Sequence, residues 1–307
     1  ARAGMKGVFA PAGSYVPGID LVLKAGNIRG QDSNGMLCSE REMMISDEHD
    51  GIIELAADAP VGESFAAYAG LDDPVIEIAI TPNRADCLGV RGVARDLAAA
   101  GYGTLKPLDT SAHVGSFDSP LRWNIDLDGA EHLAPLVTGI AFRGVKNGPS
   151  PDWIVRRLEA IGQRPISALV DITNYVMFDL GRPLHAYDTA KIHGDELVVR
   201  QARGGEPFAA LNEKTYEMEA GMITIGDAEG VDDLAGVMGG ERTGVSDDTT
   251  GMFLEIAVFD PISVATTGRK LNLNSDARYR FERGLDSESP VWAAGHIARL
   301  VVAICGG

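Results

Sequence analysis

The first 70 residues read as all-β, because short apolar stretches there are set between glycine and proline turns. Turns at Pro11-Ala12-Gly13, Pro17-Gly18 and Asn34-Gly35 separate short apolar stretches, among them Val8-Phe9, Leu21-Val22-Leu23 and Ile52-Ile53. Frequent turns between short strands predict a small all-β barrel or sandwich. The pattern then changes. Val75 to Ile80 reads as one more strand, stopped by Pro82-Asn83. An amphipathic helix is predicted from Asp86 to Ala100, with Leu88, Val90, Val93, Ala94 and Leu97 on its apolar side and Gly101 as its stop.

Leu105 to about Asp128 reads as irregular and carries Pro107, Gly115 and Pro120, which places a domain boundary there. The resulting segments are 1–70, 71–107 and 108–307. In the last of them a strand is predicted over Ala134 to Phe142. Ser150-Pro151-Asp152 predicts a helix start, with Ser150 as cap and proline at the first helical position, closing at Gly162. A second helix is expected from Ser167 to Leu180, before Gly181 and Pro183. Strands follow at 197–201, 208–211, 216–218, 222–225, 235–238 and 253–259, then a short helix opened by Asp260-Pro261 and a last one from Pro290 to Cys305. Helices and strands mix without strict alternation, which predicts an α+β architecture rather than a doubly wound sheet.

Several function classes are disfavoured. No apolar run approaches the roughly 18–20 residues that span a bilayer. The three cysteines, Cys38, Cys87 and Cys305, are scattered and odd in number. They argue against a disulfide framework or zinc ribbon and for a reducing, cytoplasmic setting. The six histidines lack paired ligand spacing, so no metal site is expected. The start, Ala1-Arg2-Ala3-Gly4-Met5, has no signal-peptide pattern and no natural initiator, and reads as a cut from a longer protein. A formal net charge of −17 opposes a broad phosphate-binding surface, so any RNA contact must be local, made by a few Lys and Arg.

Five stretches carry chemistry. Asp171, Thr173 and Asn174 are polar groups inside an apolar helix, a pattern that a hydrogen-bonded structural helix explains first. His185 falls in an expected loop after that helix, where most histidines are structural or solvated. Ala235-Gly236-Val237-Met238-Gly239-Gly240 is a glycine-rich turn with the wrong spacing for a dinucleotide fingerprint. Glu255 is a lone carboxylate in an apolar strand, on the face opposite Leu254 and Ile256. That face is either solvent or a buried site that must supply a partner. Asn274 to Gly284 is dense in alternating charge, as salt-bridged scaffolding is.

Taken in order, Asp171-Ile-Thr-Asn-Tyr-Val, Gly181-Arg-Pro-Leu-His-Ala-Tyr-Asp188, Gly236-Val-Met-Gly-Gly-Glu241 and Ser275-Asp-Ala-Arg-Tyr-Arg-Phe-Glu-Arg-Gly284 closely resemble the editing module of bacterial phenylalanyl-tRNA synthetase beta subunits. Upstream, Asn34 to Glu42 resembles the end of that subunit's OB domain, and Thr81 to Leu88 the segment re-entering its small N-terminal α+β domain. The family's Cys-Gly-Ala-Pro-Asn opening of the OB domain would precede Ala1. The resemblance therefore implies a multidomain α+β protein: a partial OB-type β-barrel that binds tRNA, followed by a mixed α+β editing module.

The resemblance also implies an activity, hydrolysis of the ester joining tyrosine to the terminal ribose of tRNA(Phe). It carries the family's pocket onto Arg164, Thr173, Asn174, His185, Gly239, Glu255, Ser275 and Ala277. Thr173, Asn174 and His185 are the implied catalytic group, holding the water or the ribose, with His185 as either a general base or a hydrogen-bonding group. The others are the implied substrate contacts, Glu255 accepting a hydrogen bond from the tyrosine hydroxyl. Ser275 keeps the hydroxyl of the family's usual threonine. No cofactor is implied for these residues. ATP and magnesium belong to aminoacylation by the parent ligase, whose synthetic site the resemblance places on the alpha subunit, a partner alongside tRNA(Phe). A non-catalytic docking or scaffolding module is the alternative.

Overall fold

Two-residue and three-residue strands joined by tight turns fill the N-terminal part of the computed structural model, which describes residues 1–307. The chain divides into two compact units, Ala1–Ile76 and Glu77–Gly307. In the first, the strands are β1 (Lys6–Gly7), β2 (Phe9–Pro11), β3 (Tyr15–Val16), β4 (Leu21–Val22), β5 (Gly26–Ile28), β6 (Gln31–Ser33), β7 (Gly35–Leu37) and β8 (Glu54–Leu55). They pair two by two, as β1–β8, β2–β7, β3–β4 and β5–β6, rather than in one continuous ladder. A single helical turn, α1 (Phe65–Tyr68), follows. Val8, Val16, Cys38 and Ala59 are the buried apolar side chains of this unit, a thin core for its length.

The strand expected over residues 75–80 does not form. Val75, Ile76 and Ile78 are exposed, because an alternating apolar segment becomes a strand only where a neighbour takes up its backbone groups. The helix expected next begins as a 3-10 turn at Ala85–Cys87 and continues as α2 (Val90–Ala99). Gly101, at φ 87°, ends it as the sequence predicts.

A three-stranded antiparallel sheet forms the centre of the second unit. In it β10 (Leu136–Arg143) and β11 (His185–Asp188) flank β18 (Gly251–Val258). The β11 pairing corrects the expected loop: His185 opens a strand, in register with Glu255, and Tyr187 lies opposite Phe253. Gly181 and Pro183 mask so short a strand, whose partner lies far along the chain. The second sheet runs in the order β17 (Met238–Gly239), β16 (Val231–Leu234), β15 (Ile223–Gly226), β12 (Glu196–Gln201), β9 (Arg122–Asp126), with β13 (Glu206–Ala210) and β14 (Lys214–Met218) as a separate hairpin. β9 falls inside the span read as irregular. Its polar residues hide it, and parallel pairing with β12 creates it. The strand expected over 235–238 is instead a reversal at Gly236, at φ 71°, between β16 and β17.

The helices obey their caps. α3 spans Asp152–Ala160, with Pro151 rather than Ser150 at the cap position. The Ser150 hydroxyl is drawn away, donating to Asp171 Oδ2 at 2.5 Å. α4 (Ala168–Leu180) ends at Gly181 in the left-handed conformation, as predicted. In α5 (Pro261–Lys270) the Asp260 carboxylate accepts from the Ser263 amide at 2.7 Å. The charged stretch 274–284 contains the additional helix α6 (Asp276–Phe281), laced by Arg278–Glu282 and Arg280–Asp276 ion pairs four residues apart. α7 (Ser289–Cys305) closes the unit.

Both faces of the central sheet are covered. Leu254 and Ile256 pack into a core with Ile154, Leu169, Ile172 and Ile297 from the helices. Phe253 and Ala257, alternating with them along β18, pack into a second core with Val199 and Ile225 of the other sheet. Glu255 shares the second face. Asp171 anchors the helical side: buried, it also accepts from the Ile166 amide at 2.8 Å. Replacing Asp171 with Ala leaves these donors unpaired and should cost about 1–3 kcal/mol in chemical denaturation. A loss near zero would show that the contacts do not hold the α4 entry.

Candidate functional site

Period-two alternation puts Glu255 on the face of β18 away from the helices, and the second sheet decides what that face meets. The residue is 5% exposed. Tyr187 donates its hydroxyl to Glu255 Oε2 at 3.2 Å. His185, two residues from Tyr187 and on the same face of β11, stacks edge-on against the Tyr187 ring at 4.4 Å between centroids. From β16 comes Asp233, whose Oδ2 lies 3.7 Å from His185 Nδ1, beyond hydrogen-bond reach. Pro183, Leu184, Gly236, Val237, Met238, Ala277 and Phe281 complete the lining of a narrow cleft of about 50 Å³ that contains His185, Asp233, Gly239 and Glu255.

Glycine makes the arrangement possible. A Cβ on Gly239 would fall 2.7 Å from His185 Nδ1 and closer still to its Cε1. The backbone of β17 can therefore approach the imidazole only without a side chain. Gly139, opposite Glu255 on β10, has the same relation to the Phe253 ring.

The electrostatics are those of charges drawn out of water. Burial pushes the Glu255 carboxyl up to about 7, while the Tyr187 hydrogen bond and the positive charge of Arg182 pull it back. Burial, then the charges of Glu255 and Asp232, push Asp233 well above the usual carboxylate range. Burial lowers His185 to about 4, so its imidazole is neutral around neutral pH. Its Nε2 is buried and has no hydrogen-bond partner, an acceptor or donor left for a ligand. The Arg182 guanidinium, 1% exposed, donates to Ser289 Oγ at 2.9 Å and to the Ala257 carbonyl, two residues along from Glu255.

Of the residues singled out in the sequence, His185, Gly239, Glu255 and Ala277 line this cleft. The other four stand elsewhere. Thr173 and Asn174 are half-buried on α4, where the Thr173 hydroxyl donates to the Val170 carbonyl at 2.7 Å. Ser275 caps α6, accepting from the Arg278 amide at 3.0 Å and donating to the Val237 carbonyl at 2.6 Å, so it ties that helix to the glycine turn. Arg164 is exposed in the segment between α3 and α4. Asp233, Tyr187 and Arg182 were not singled out. The signal for Asp233 was present: an acidic pair, Asp232-Asp233, inside a short apolar run leading into glycines. Ligand atoms of Asp86, Cys87 and Asp96 come within 4.8 Å of one another. Arg84 and Arg95 already neutralise them through ion pairs.

Residues 133–306 match the B3/4 domain family, and the chain belongs to it. The match extends further along phenylalanine–tRNA ligase beta subunits. The chain is 55% identical over 310 residues to that of Brucella abortus (strain 2308), covering 100% of this chain and 38% of the relative. The Gluconobacter oxydans (strain 621H) subunit is 54% identical over 308 residues, covering 100% and 37%. The resemblance read from the motifs is thus met along the whole sequence, while the chain spans well under half the length of these relatives. Among solved structures, an N-terminal fragment of the phenylalanyl-tRNA synthetase beta subunit from Pyrococcus horikoshii aligns over 63% of this chain and 60% of that one, with a TM-score of 0.36 and 16% identity.

A carboxyl raised in the folded protein contributes stability below its unfolded value of about 4.5, and this is lost as pH rises through about 7. Replacing Glu255 with Gln removes that loss. The variant should therefore gain stability relative to the parent as pH goes from about 5 to about 8, seen as diverging urea midpoints. Midpoints that move in parallel would contradict a raised carboxyl.

Proposed function

We propose that this chain is the proofreading part of a phenylalanine–tRNA ligase beta subunit, hydrolysing the ester of tyrosine mischarged onto tRNA(Phe). One observation carries the reading: a buried carboxylate, Glu255, in a narrow cleft beside a neutral imidazole with a free nitrogen. A tyrosine hydroxyl entering the cleft can donate to the carboxylate. A phenylalanine ring would leave the second oxygen of that carboxylate desolvated and without a donor, Tyr187 serving only Oε2, a penalty of about 1–3 kcal/mol, or roughly 5- to 150-fold in selectivity. Polar discrimination of this kind succeeds where an apolar pocket sorting by size would not.

Aminoacyl esters are reactive, so a site need only position water and stabilise the developing negative charge. His185 Nε2, unpartnered in the cleft, accepts a hydrogen bond from that water. The side chain enters between β11 and β17, where Gly239 leaves room. Thr173 and Asn174 on α4 are assigned to the ribose, with Ser275 and Arg164 supporting the pocket from α6 and from the segment before α4. The reading calls for no cofactor here; ATP and magnesium serve aminoacylation, assigned to a site on the alpha subunit. The proposed partners are tRNA(Phe) and that subunit, in the cytoplasm, with residues 1–76 as an OB-type tRNA-docking element. None of the helices is long and apolar enough to cross a membrane.

Deacylation of Tyr-tRNA(Phe) tests the reading. A rate well above buffer is expected, falling by at least about 10-fold in Glu255→Ala. No rate above buffer would leave only the docking role. Because an ionised Glu255 accepts the hydroxyl more strongly than the neutral carboxyl does, the preference for Tyr-tRNA(Phe) over Phe-tRNA(Phe) should rise as pH passes through about 7. A preference flat across that range would remove Glu255 from the recognition step.

A further inference from the structure

Five carboxyl side chains are buried in this fold, and all but one accept a hydrogen bond. Asp171 and Asp188 hold backbone amides and hydroxyls, Asp232 is bound by Arg242, and Glu255 by Tyr187. Asp233 is the exception: it is buried, and no donor reaches its carboxylate. An unpaired buried acceptor is costly, so a carboxyl that served only the fold would be paired as the others are. Its place in the sheet says what it faces. β16 and β17 pair so that Asp233 lies opposite Gly239, the residue whose missing side chain admits the His185 ring. Asp233 Oδ2 stands 3.7 Å from His185 Nδ1, and no other carboxylate comes within ion-pair distance of that imidazole.

The two groups decide one proton between them. A neutral imidazole carries its hydrogen on one nitrogen only. If Asp233 is ionised, it accepts from Nδ1–H, and the buried Nε2 is left bare. If Asp233 is protonated, it donates to Nδ1, and the hydrogen sits on Nε2, which then cannot accept. The gap needs to shorten by about 0.8 Å to reach an ordinary N–H···O length, and contacts of this kind commonly tighten once substrate is bound. The ring itself is held edge-on by Tyr187 and flanked by the β17 backbone, so its second nitrogen stays directed into the cleft. We propose that Asp233 is the positioning residue of His185 in the proposed ester hydrolysis, its carboxylate holding the imidazole hydrogen on Nδ1 so that Nε2 takes a proton from the attacking water.

The inference rests on the editing reading and deepens it. The water oxygen bonds to the ester carbonyl carbon while one of its protons passes to Nε2. The imidazolium so formed keeps Nδ1–H on Asp233. Nε2–H then returns the proton to the ribose oxygen as the ester bond breaks, releasing tyrosine and a free ribose hydroxyl. Burial holds the imidazole at about 4, so this cation needs a counter-charge, and Asp233 supplies it where the charge develops. Ionising Asp233 is opposed by burial and by the charges of Glu255 on β18 and Asp232 beside it. Tyr187 keeps its hydroxyl hydrogen in the same surroundings, and Arg182 offsets Glu255. The neighbours on β15, β17 and α6, namely Ile225, Gly239, Ala277 and Phe281, bring no charge. Substrate relieves the pair, because its hydroxyl gives Glu255 a further donor while Nδ1–H gives Asp233 its first.

The tautomer of His185 is the direct readout, taken from long-range proton–nitrogen spectra of the chain carrying isotope-labelled histidine and assigned by the signals lost in His185→Gln. Titrated from about pH 6 to about pH 10, the parent should end with a protonated Nδ1 and a bare Nε2. Asp233→Leu should keep the hydrogen on Nε2 throughout. In Tyr-tRNA(Phe) hydrolysis the same variant should lose at least about 100-fold in kcat with KM within about 2-fold of the parent. Asp233→Asn keeps the volume of the side chain and can still accept from Nδ1–H, but offers no charge to the imidazolium, so its kcat should also fall. A parent with its hydrogen on Nε2 at every pH, or the same tautomer in parent and Asp233→Leu, overturns the inference. So does hydrolysis at the parent rate in both variants, which would leave the editing reading intact. A tautomer that depends on Asp233 in a chain that does not hydrolyse Tyr-tRNA(Phe) would do the reverse, removing editing and keeping the contact.

Discussion

Glu255 and Arg182 are opposite charges buried in the same region of the fold, yet each satisfies itself elsewhere. The guanidinium gives its hydrogen bonds to the Ala257 carbonyl, the Ser289 hydroxyl and the Pro183 carbonyl. Burying an isolated charge costs several kcal/mol, and a direct ion pair would relieve that cost while blocking the carboxylate. Counter-charge from nearby without contact keeps Glu255 able to ionise near neutral pH and leaves it one protein partner, Tyr187. The same guanidinium bonds ply three elements together: the entry to β11, the end of β18 and the start of α7. The constraint that neutralises the site thus also fastens it.

Close packing around this carboxylate explains the glycines. Gly139 lies opposite Glu255 and its missing side chain makes room for the Phe253 ring, while Gly239 makes room for His185. The first makes room within the central sheet, the second where the other sheet approaches it, and the narrow cleft is what remains there. In such an interior one added methyl group forces a ring off its rotamer, with typical costs of about 1–3 kcal/mol. The shape of the cleft and the stability of the fold draw on the same few contacts here. Asp233 sharpens the point: a second buried carboxyl beside Glu255 makes simultaneous ionisation of both unfavourable.

The sequence made some of this legible and hid the rest for physical reasons. α4 and α5 could be read because their ends are written locally, in Ser167, Gly181 and Asp260. Alternation placed Glu255 on the correct face of its strand but said nothing about what covers that face, because the covering sheet is formed by residues distant along the chain. β11 and β9 were missed on the same ground: each is short, and becomes a strand through a remote partner. Segment 75–80 shows the converse, a good strand pattern without a neighbour. Of the site residues carried by resemblance, those in strands and at the glycine turn converge on the cleft. Thr173 and Asn174 on α4, Ser275 at its helix cap and Arg164 in its exposed segment lie outside its lining, and no local pattern reveals such placements.

The central claim is that a buried carboxylate recognises one hydroxyl group. It is tested most directly by comparing the affinities of two stable mimics, the tyrosyl and phenylalanyl amides of 3′-amino-3′-deoxyadenosine, by calorimetry above pH 7. The tyrosyl compound should bind about 5- to 150-fold more tightly, with its hydroxyl on Glu255, and that advantage should vanish in Glu255→Ala, which removes the acceptor. Equal affinities for the two, or an advantage that survives loss of the carboxylate, would contradict the claim.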